Sequence, residues 1–129
     1  ITAEKIRIYK QLDSMTNDKE IDRIKAQLED RFGKMPLELD NLFDVVKIRN
    51  LGGKLGFEKI IIKNGMMIMF FIANQMSPYY KSKVFSGILQ NINANDQLFN
   101  LKQSEGKLKI VSRGIDSLSK ALDTLNKLK

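Results

Sequence analysis

Residues 58–72 read Glu58-Lys59-Ile60-Ile61-Ile62-Lys63-Asn64-Gly65-Met66-Met67-Ile68-Met69-Phe70-Phe71-Ile72. Three consecutive β-branched residues, an Asn-Gly pair and a second apolar run are the strongest short signal for an antiparallel hairpin, because Asn and Gly tolerate the positive φ angles of a tight turn. The second run is apolar at successive positions, which fits a central strand with helices on at least one side. Strand alternation sends Met67 and Met69 to one face and Met66 to the other, where thioethers serve better as core filler than as copper ligands.

Before this hairpin the apolar period is that of a helix. Ile6, Tyr9 and Leu12 mark a first helix over residues 3–15. Asn17 and Glu20 form a capping pair for a second, whose core stripe Ile21, Ile24, Leu28 and Phe32 ends at Gly33. Pro36 suits the first turn of a third, carried by Leu39, Leu42, Phe43, Val46, Leu51 and Leu55 to Gly56, with Gly52-Gly53 weakening its last turn. After the hairpin, Ser77-Pro78 reads as a cap and first turn before the stripe Val84, Phe85, Ile88, Leu89 and Ile92. Leu98, Phe99 and Leu101, a turn at Glu105-Gly106, and Leu108, Ile110 and Val111 give a second hairpin, and Ile115, Leu118, Leu122, Leu125 and Leu128 a closing helix. The order ααα-ββ-α-ββ-α predicts an α+β fold, with one four-stranded, mainly antiparallel sheet packed against helices.

The chain has 129 residues, the size of a single domain, and begins at Ile1 with a charged stretch, as expected of a fragment of a larger protein. Its longest apolar run, Met66 to Ala73, is too short to span a bilayer, so no membrane role and a cytoplasmic location are expected. With no His and no Cys, serine triads, thiolate nucleophiles, zinc sites and iron–sulfur sites are excluded. The net charge of +7 is uneven. Charges nearly cancel up to Gly56, but from Phe57 onward eleven Lys and Arg face only Glu58, Asp96, Glu105, Asp116 and Asp123. These cations are scattered singly or in pairs along the sequence, as on an ordinary solvated surface.

Candidate chemistry is sparse. Gly52-Gly53-Lys54 lacks the preceding strand and the following Ser or Thr of a phosphate loop, and reads as a glycine-capped helix end. Asp40 and Asp44 lie one helical turn apart, but nothing completes a metal site, and no cofactor is expected. Tyr79 and Tyr80 beside Lys81 and Lys83 form a small stacking-plus-basic patch suited to nucleic acid, although paired tyrosines in a first helical turn more often pack. Residues alone thus give a basic α+β binding module without active-site chemistry.

The segments Ile8-Tyr9-Lys10-Gln11-Leu12, Asp30-Arg31-Phe32-Gly33-Lys34-Met35-Pro36, Asn41-Leu42-Phe43, Ile48-Arg49 and Leu55-Gly56 follow one another in an order and spacing that resembles the C-terminal domain of the bacterial transcription-repair coupling factors. The resemblance is specific over about the first half of the chain and rests on element order in the second. It implies a regulatory role inside a much larger ATP-driven DNA translocase that displaces stalled RNA polymerase from duplex DNA and recruits excision repair. In that family the domain packs on an N-terminal UvrB-like module and covers the surface that binds UvrA. Family contacts include acidic positions on the helix entering the Asp-Arg-Phe-Gly turn; Asp30 matches one, Gln27 stands where another acid is expected, and Glu29 and Arg31 lie alongside. The competing reading of Asp30 and Arg31 is a surface salt bridge or a turn cap. The alternative function is an independent nucleic-acid-binding module using Tyr79, Tyr80, Lys81 and Lys83.

Overall fold

Asn17 opens a helix because its side-chain oxygen accepts the Lys19 N–H at 2.8 Å, and Gly33 closes it with φ +83°, its own N–H donating to the Glu29 carbonyl at 2.8 Å. In the computed structural model, which describes residues 2–129, this is α2 (Asp18–Phe32); it follows α1 (Thr2–Asp13) and precedes α3 (Leu37–Leu55). Ile8 and Leu12 of α1, Ile21 and Ile24 of α2, and Phe43 and Val46 of α3 form a hydrophobic core, with Leu28, Met35 and Leu39 partly buried around it. Two expectations shift here. On α1 the buried pair is Ile8 and Leu12, while Ile6 and Tyr9 are exposed; this short helix carries two interleaved apolar series, and period alone cannot choose between them. On α2 the stripe ends at Leu28, and Phe32 is 62% exposed.

Chain contacts divide the molecule into two compact units, up to Lys47 and from Ile48, with the boundary inside α3. The second unit holds β1 (Phe57–Lys63), β2 (Met66–Phe71), a short 3-10 turn (Pro78–Lys81), α4 (Lys83–Ala94), β3 (Asn100–Ser104), β4 (Lys107–Arg113) and α5 (Leu118–Asn126). The strands form one antiparallel sheet in the order β1-β2-β4-β3, so β2 is central as its two-faced apolar pattern requires. Both hairpins turn on a residue pair with positive φ, Asn64-Gly65 (53° and 73°) and Glu105-Gly106 (52° and 75°). Met67, Met69 and Phe71 of β2 and Ile110 of β4 are buried against Ile88 and Ile92 of α4 and Leu125 of α5, with Leu51 and Leu55 from the end of α3 in the same core.

Two local features refine the sequence reading. α3 runs unbroken through Gly52-Gly53 to Leu55. A Cβ at Gly52 would stand 2.6 Å from the Ile60 side chain, so the missing side chain lets helix and strand approach closely. Ser77-Pro78 does not begin the fourth α-helix but the 3-10 turn, with the Ser77 hydroxyl accepting the Tyr79 N–H. Ser82 then caps α4, its hydroxyl accepting the Phe85 N–H at 3.2 Å and donating to the Tyr79 carbonyl at 2.6 Å.

Candidate functional site

The last turns of α2 are where the sequence leads one to expect a partner contact. Gln27, Glu29, Asp30 and Arg31 are all exposed there. Because Ile21, Ile24 and Leu28 turn inward at helical spacing, these four occupy the remaining surface of the helix. Arg31 does not bridge to Asp30; its guanidinium lies over the Phe32 ring, 5.0 Å from the centroid. Among the described residues the Asp30 carboxylate has neither an ion pair nor a hydrogen bond. Neighbouring acids are used differently: Asp22 accepts from Lys47 at 2.5 Å, and Asp40 of α3 accepts from Lys25 at 2.5 Å. The bond to Asp40 raises the Lys25 pKa above its ordinary value, against the opposing effect of partial burial.

At the end of α2 and the start of α3 the surface becomes apolar. Phe32 is 62% and Leu37 72% exposed, and a cleft of about 350 Å³ is lined by Ile8, Leu28, Phe32, Met35, Pro36 and Leu39. Glu4 and Lys34 stand at its rim. Sequence reading assigned Phe32 to the core and left Leu37 unremarked. The available signal was position: Phe32 directly precedes the terminating Gly33 and Leu37 opens α3, so both sit where a helix runs out of neighbours. An unpaired carboxylate on a helix that ends in exposed aromatic and aliphatic side chains has the composition of a protein docking surface.

Tyr79 and Tyr80 are differently placed. Tyr79 packs at ring-centroid distances of 6.2 Å from Phe71, 5.3 Å from Tyr80 and 5.5 Å from Phe85. Its hydroxyl donates to the Leu55 carbonyl at 2.5 Å, and that of Tyr80 donates to the Ile72 carbonyl. Burial, with Tyr80 adding to it, pushes the Tyr79 phenol up to about 12. Both rings are committed to packing and both hydroxyls to the main chain, whereas Lys81 and Lys83 remain exposed. The Gly52-Gly53-Lys54 segment is helical, with no loop of free N–H groups to cradle a phosphate. Among the described residues no group of three or more His, Cys, Asp or Glu could hold a metal ion, and no helix is long and apolar enough to cross a membrane.

Comparison with known proteins places these features in context. The family model of the TRCF domain matches residues 2–82. The chain is 36% identical over 77 residues to the transcription-repair-coupling factor of Rickettsia typhi, covering 59% of this chain and 7% of that protein. It is 37% identical over 71 residues to the Rickettsia prowazekii factor, covering 54% and 6%, and 32% identical over 75 residues to that of Escherichia coli K12, covering 57% and 6%. The matched stretch is thus under a tenth of each of these relatives. A crystal structure of the C-terminal domain of transcription-repair coupling factor superposes with a TM-score of 0.76 at 16% identity, covering 98% of this chain and 76% of that one. That likeness extends the shared fold through the second hairpin and α5, beyond the reach of the family model.

Proposed function

We propose that this chain, which belongs to the TRCF domain family, is a non-catalytic regulatory domain of a larger transcription-repair coupling factor, docking on a UvrB-like module of the same protein through the end of α2. In the docked state it masks the surface that binds UvrA and restrains a DNA translocase that acts on stalled RNA polymerase in the cytoplasm. The 129 residues serve as one functional domain of that protein. The reading is supported by the unpaired Asp30 carboxylate on the exposed surface of α2 and, where that helix ends, by the exposed Phe32 and the apolar cleft it lines. A basic partner surface satisfies the charge while the apolar side chains leave water, which gives both orientation and affinity. Reversibility requires the docked and undocked states to lie within a few kcal/mol of each other, and a small mixed patch of this kind supplies an energy of that size.

The test is Asp30→Lys in the full-length protein. Reversing the charge shifts the balance toward the undocked state by about 1–3 kcal/mol and tightens UvrA binding by about 5- to 150-fold, while the isolated domain keeps its melting temperature. Deleting residues 1–129 has the same sign and a larger effect. Unchanged UvrA affinity in both proteins refutes the restraint; a response to deletion alone keeps the restraint and removes Asp30 from the contact.

A further inference from the structure

The sheet has two faces, and only one of them belongs to the core. Ile60, Ile62, Met67, Met69 and Ile110 enter the core shared with α4 and α5. The register arranges the opposite face in cross-strand rows: Lys59, Phe70, Lys109 and Lys102; Ile61, Ile68, Val111 and Asn100; Lys63, Met66 and Arg113; and, at the far end of β3 and β4, Ser104 with Lys107. Val111 is buried, but none of these residues is part of either of the two hydrophobic clusters. Six are cations, Lys59, Lys63, Lys102, Lys107, Lys109 and Arg113, none of the register-paired positions in these rows is Asp or Glu, and the one acid within the strands, Glu58, is the exposed extra residue of the bulge at the start of β1.

Among the described residues none of the six is ion-paired. Arg113 donates to the Met66 sulfur at 3.0 Å, and the ammonium groups of Lys59 and Lys109 each stand 5.8 Å from the centroid of the partly exposed Phe70 ring. Asp96 is near only at the edge, in a shallow pocket with Asn100, Val111 and Arg113.

We propose that this face binds single-stranded nucleic acid, with the backbone phosphates along the lysines and a base on Phe70. The cations lie within a field of about 20 Å along β4 and about 14 Å across four strands. Like charges on neighbouring strands repel, and a polyanion relieves that repulsion while releasing its own counterions. A sheet face carrying a central aromatic ring lets an extended strand lay its bases down, the geometry by which single strands are held without sequence readout.

Duplex DNA fits worse, since nothing projects from this face to enter a major groove about 12 Å wide. An acidic protein segment also fits worse. Ile61, Met66 and Ile68 are partly buried, and none of them ranks with the exposed large hydrophobic residues, so charge rather than apolar area dominates. The sequence hides this surface because its cations are spread over residues 59–113, and only the β1-β2-β4-β3 order gathers them.

Fluorescence anisotropy of a labelled twelve-residue oligothymidine, titrated with the 129-residue chain over a salt series, tests the proposal. Expected is binding whose log–log salt slope is about −2 to −3, corresponding to three or four phosphates. Lys59→Glu with Lys109→Glu weakens it at least tenfold, Phe70→Leu weakens it about fivefold or more without changing the slope, and Lys120→Glu with Lys127→Glu leaves it within about twofold. Circular dichroism checks the fold of each variant, and the Lys59→Gln, Lys109→Gln pair replaces the reversal if that does not fold.

The proposal is overturned by equal loss in the Lys120, Lys127 variant, by a silent Phe70→Leu, or by a twelve-base-pair duplex that binds as tightly. Polyglutamate competing as well as unlabelled oligothymidine, or binding to anionic lipid vesicles without binding to the oligonucleotide, overturns it equally.

Discussion

In the unit up to Lys47, basic side chains find acidic ones, Lys25 with Asp40 and Lys47 with Asp22; in the unit from Ile48, the six cations of the sheet face find none. The cores differ as well. Six buried residues hold α1, α2 and the start of α3, whereas fifteen hold the sheet with α4, α5 and the end of α3. The family model covers all of the first unit beyond Ile1 but stops at Ser82 in the second. A small core with internally balanced charge suits a surface on which an unpaired acid such as Asp30 carries information. A larger core tolerates a face of unrelieved like charge, because burial on the opposite side of the same strands offsets the repulsion.

The comparison is broken most directly through the smaller core. Phe43 is its largest side chain and almost fully buried, so Phe43→Ala costs about 3–5 kcal/mol. Hydrogen exchange then shows protection lost in α1 and α2 while the amides of β2 and β4 remain slow; loss in both units together denies them separate cores. Next in size is Gly56→Ala. At φ +92° an added Cβ stands 2.1 Å from Cε1 of Tyr79, and the change costs about 2–4 kcal/mol by denaturant unfolding. Gly53→Ala, which meets nothing within 4 Å, instead stabilises by up to ~1 kcal/mol.

The smallest effect sharpens the comparison on the side of the larger core. Tyr79→Phe removes the hydrogen bond to Leu55 and costs about 1 kcal/mol at neutral pH. Its alkaline signature is more specific. The folded phenol ionises near 12 and the unfolded one near its ordinary value of 10, so the stabilisation is complete below pH 10 and is lost as pH rises through about 12. Urea midpoints of the wild type therefore fall over that interval, and those of Tyr79→Phe fall less.

Much of this was legible in the chain. Asn64-Gly65, Asn17 and Gly33 each specify local backbone geometry, and the two hairpins and the central position of β2 follow from patterns a few residues long. Asp30 was singled out by its place before Arg31-Phe32-Gly33, and the structure adds that its carboxylate is unpaired. The 3-10 turn was not legible, because Ser77-Pro78 is an equally good start for an α-helix; Ser82 and the two tyrosine hydroxyl bonds decide the matter, and those bonds reach back to Leu55 and Ile72. Nor was the exposure of Phe32, since a periodic stripe specifies a face but not where its neighbours stop. The basic face escaped because strand order is a long-range property, set by packing across residues far apart in sequence.

The placement of methionines on β2 bears on oxidative damage. Met67 and Met69 have no exposed surface, so peroxide reaches them only when the sheet opens, and a sulfoxide there forces a polar oxygen into the core. Met76, at 89% exposure, is attacked first and with little structural consequence. Met66 is the intermediate case: its sulfur already accepts an N–H from Arg113, and a sulfoxide oxygen at that point is a better acceptor than the thioether it replaces. One strand thus carries thioethers of opposite fate, separated only by the alternation of its pleat.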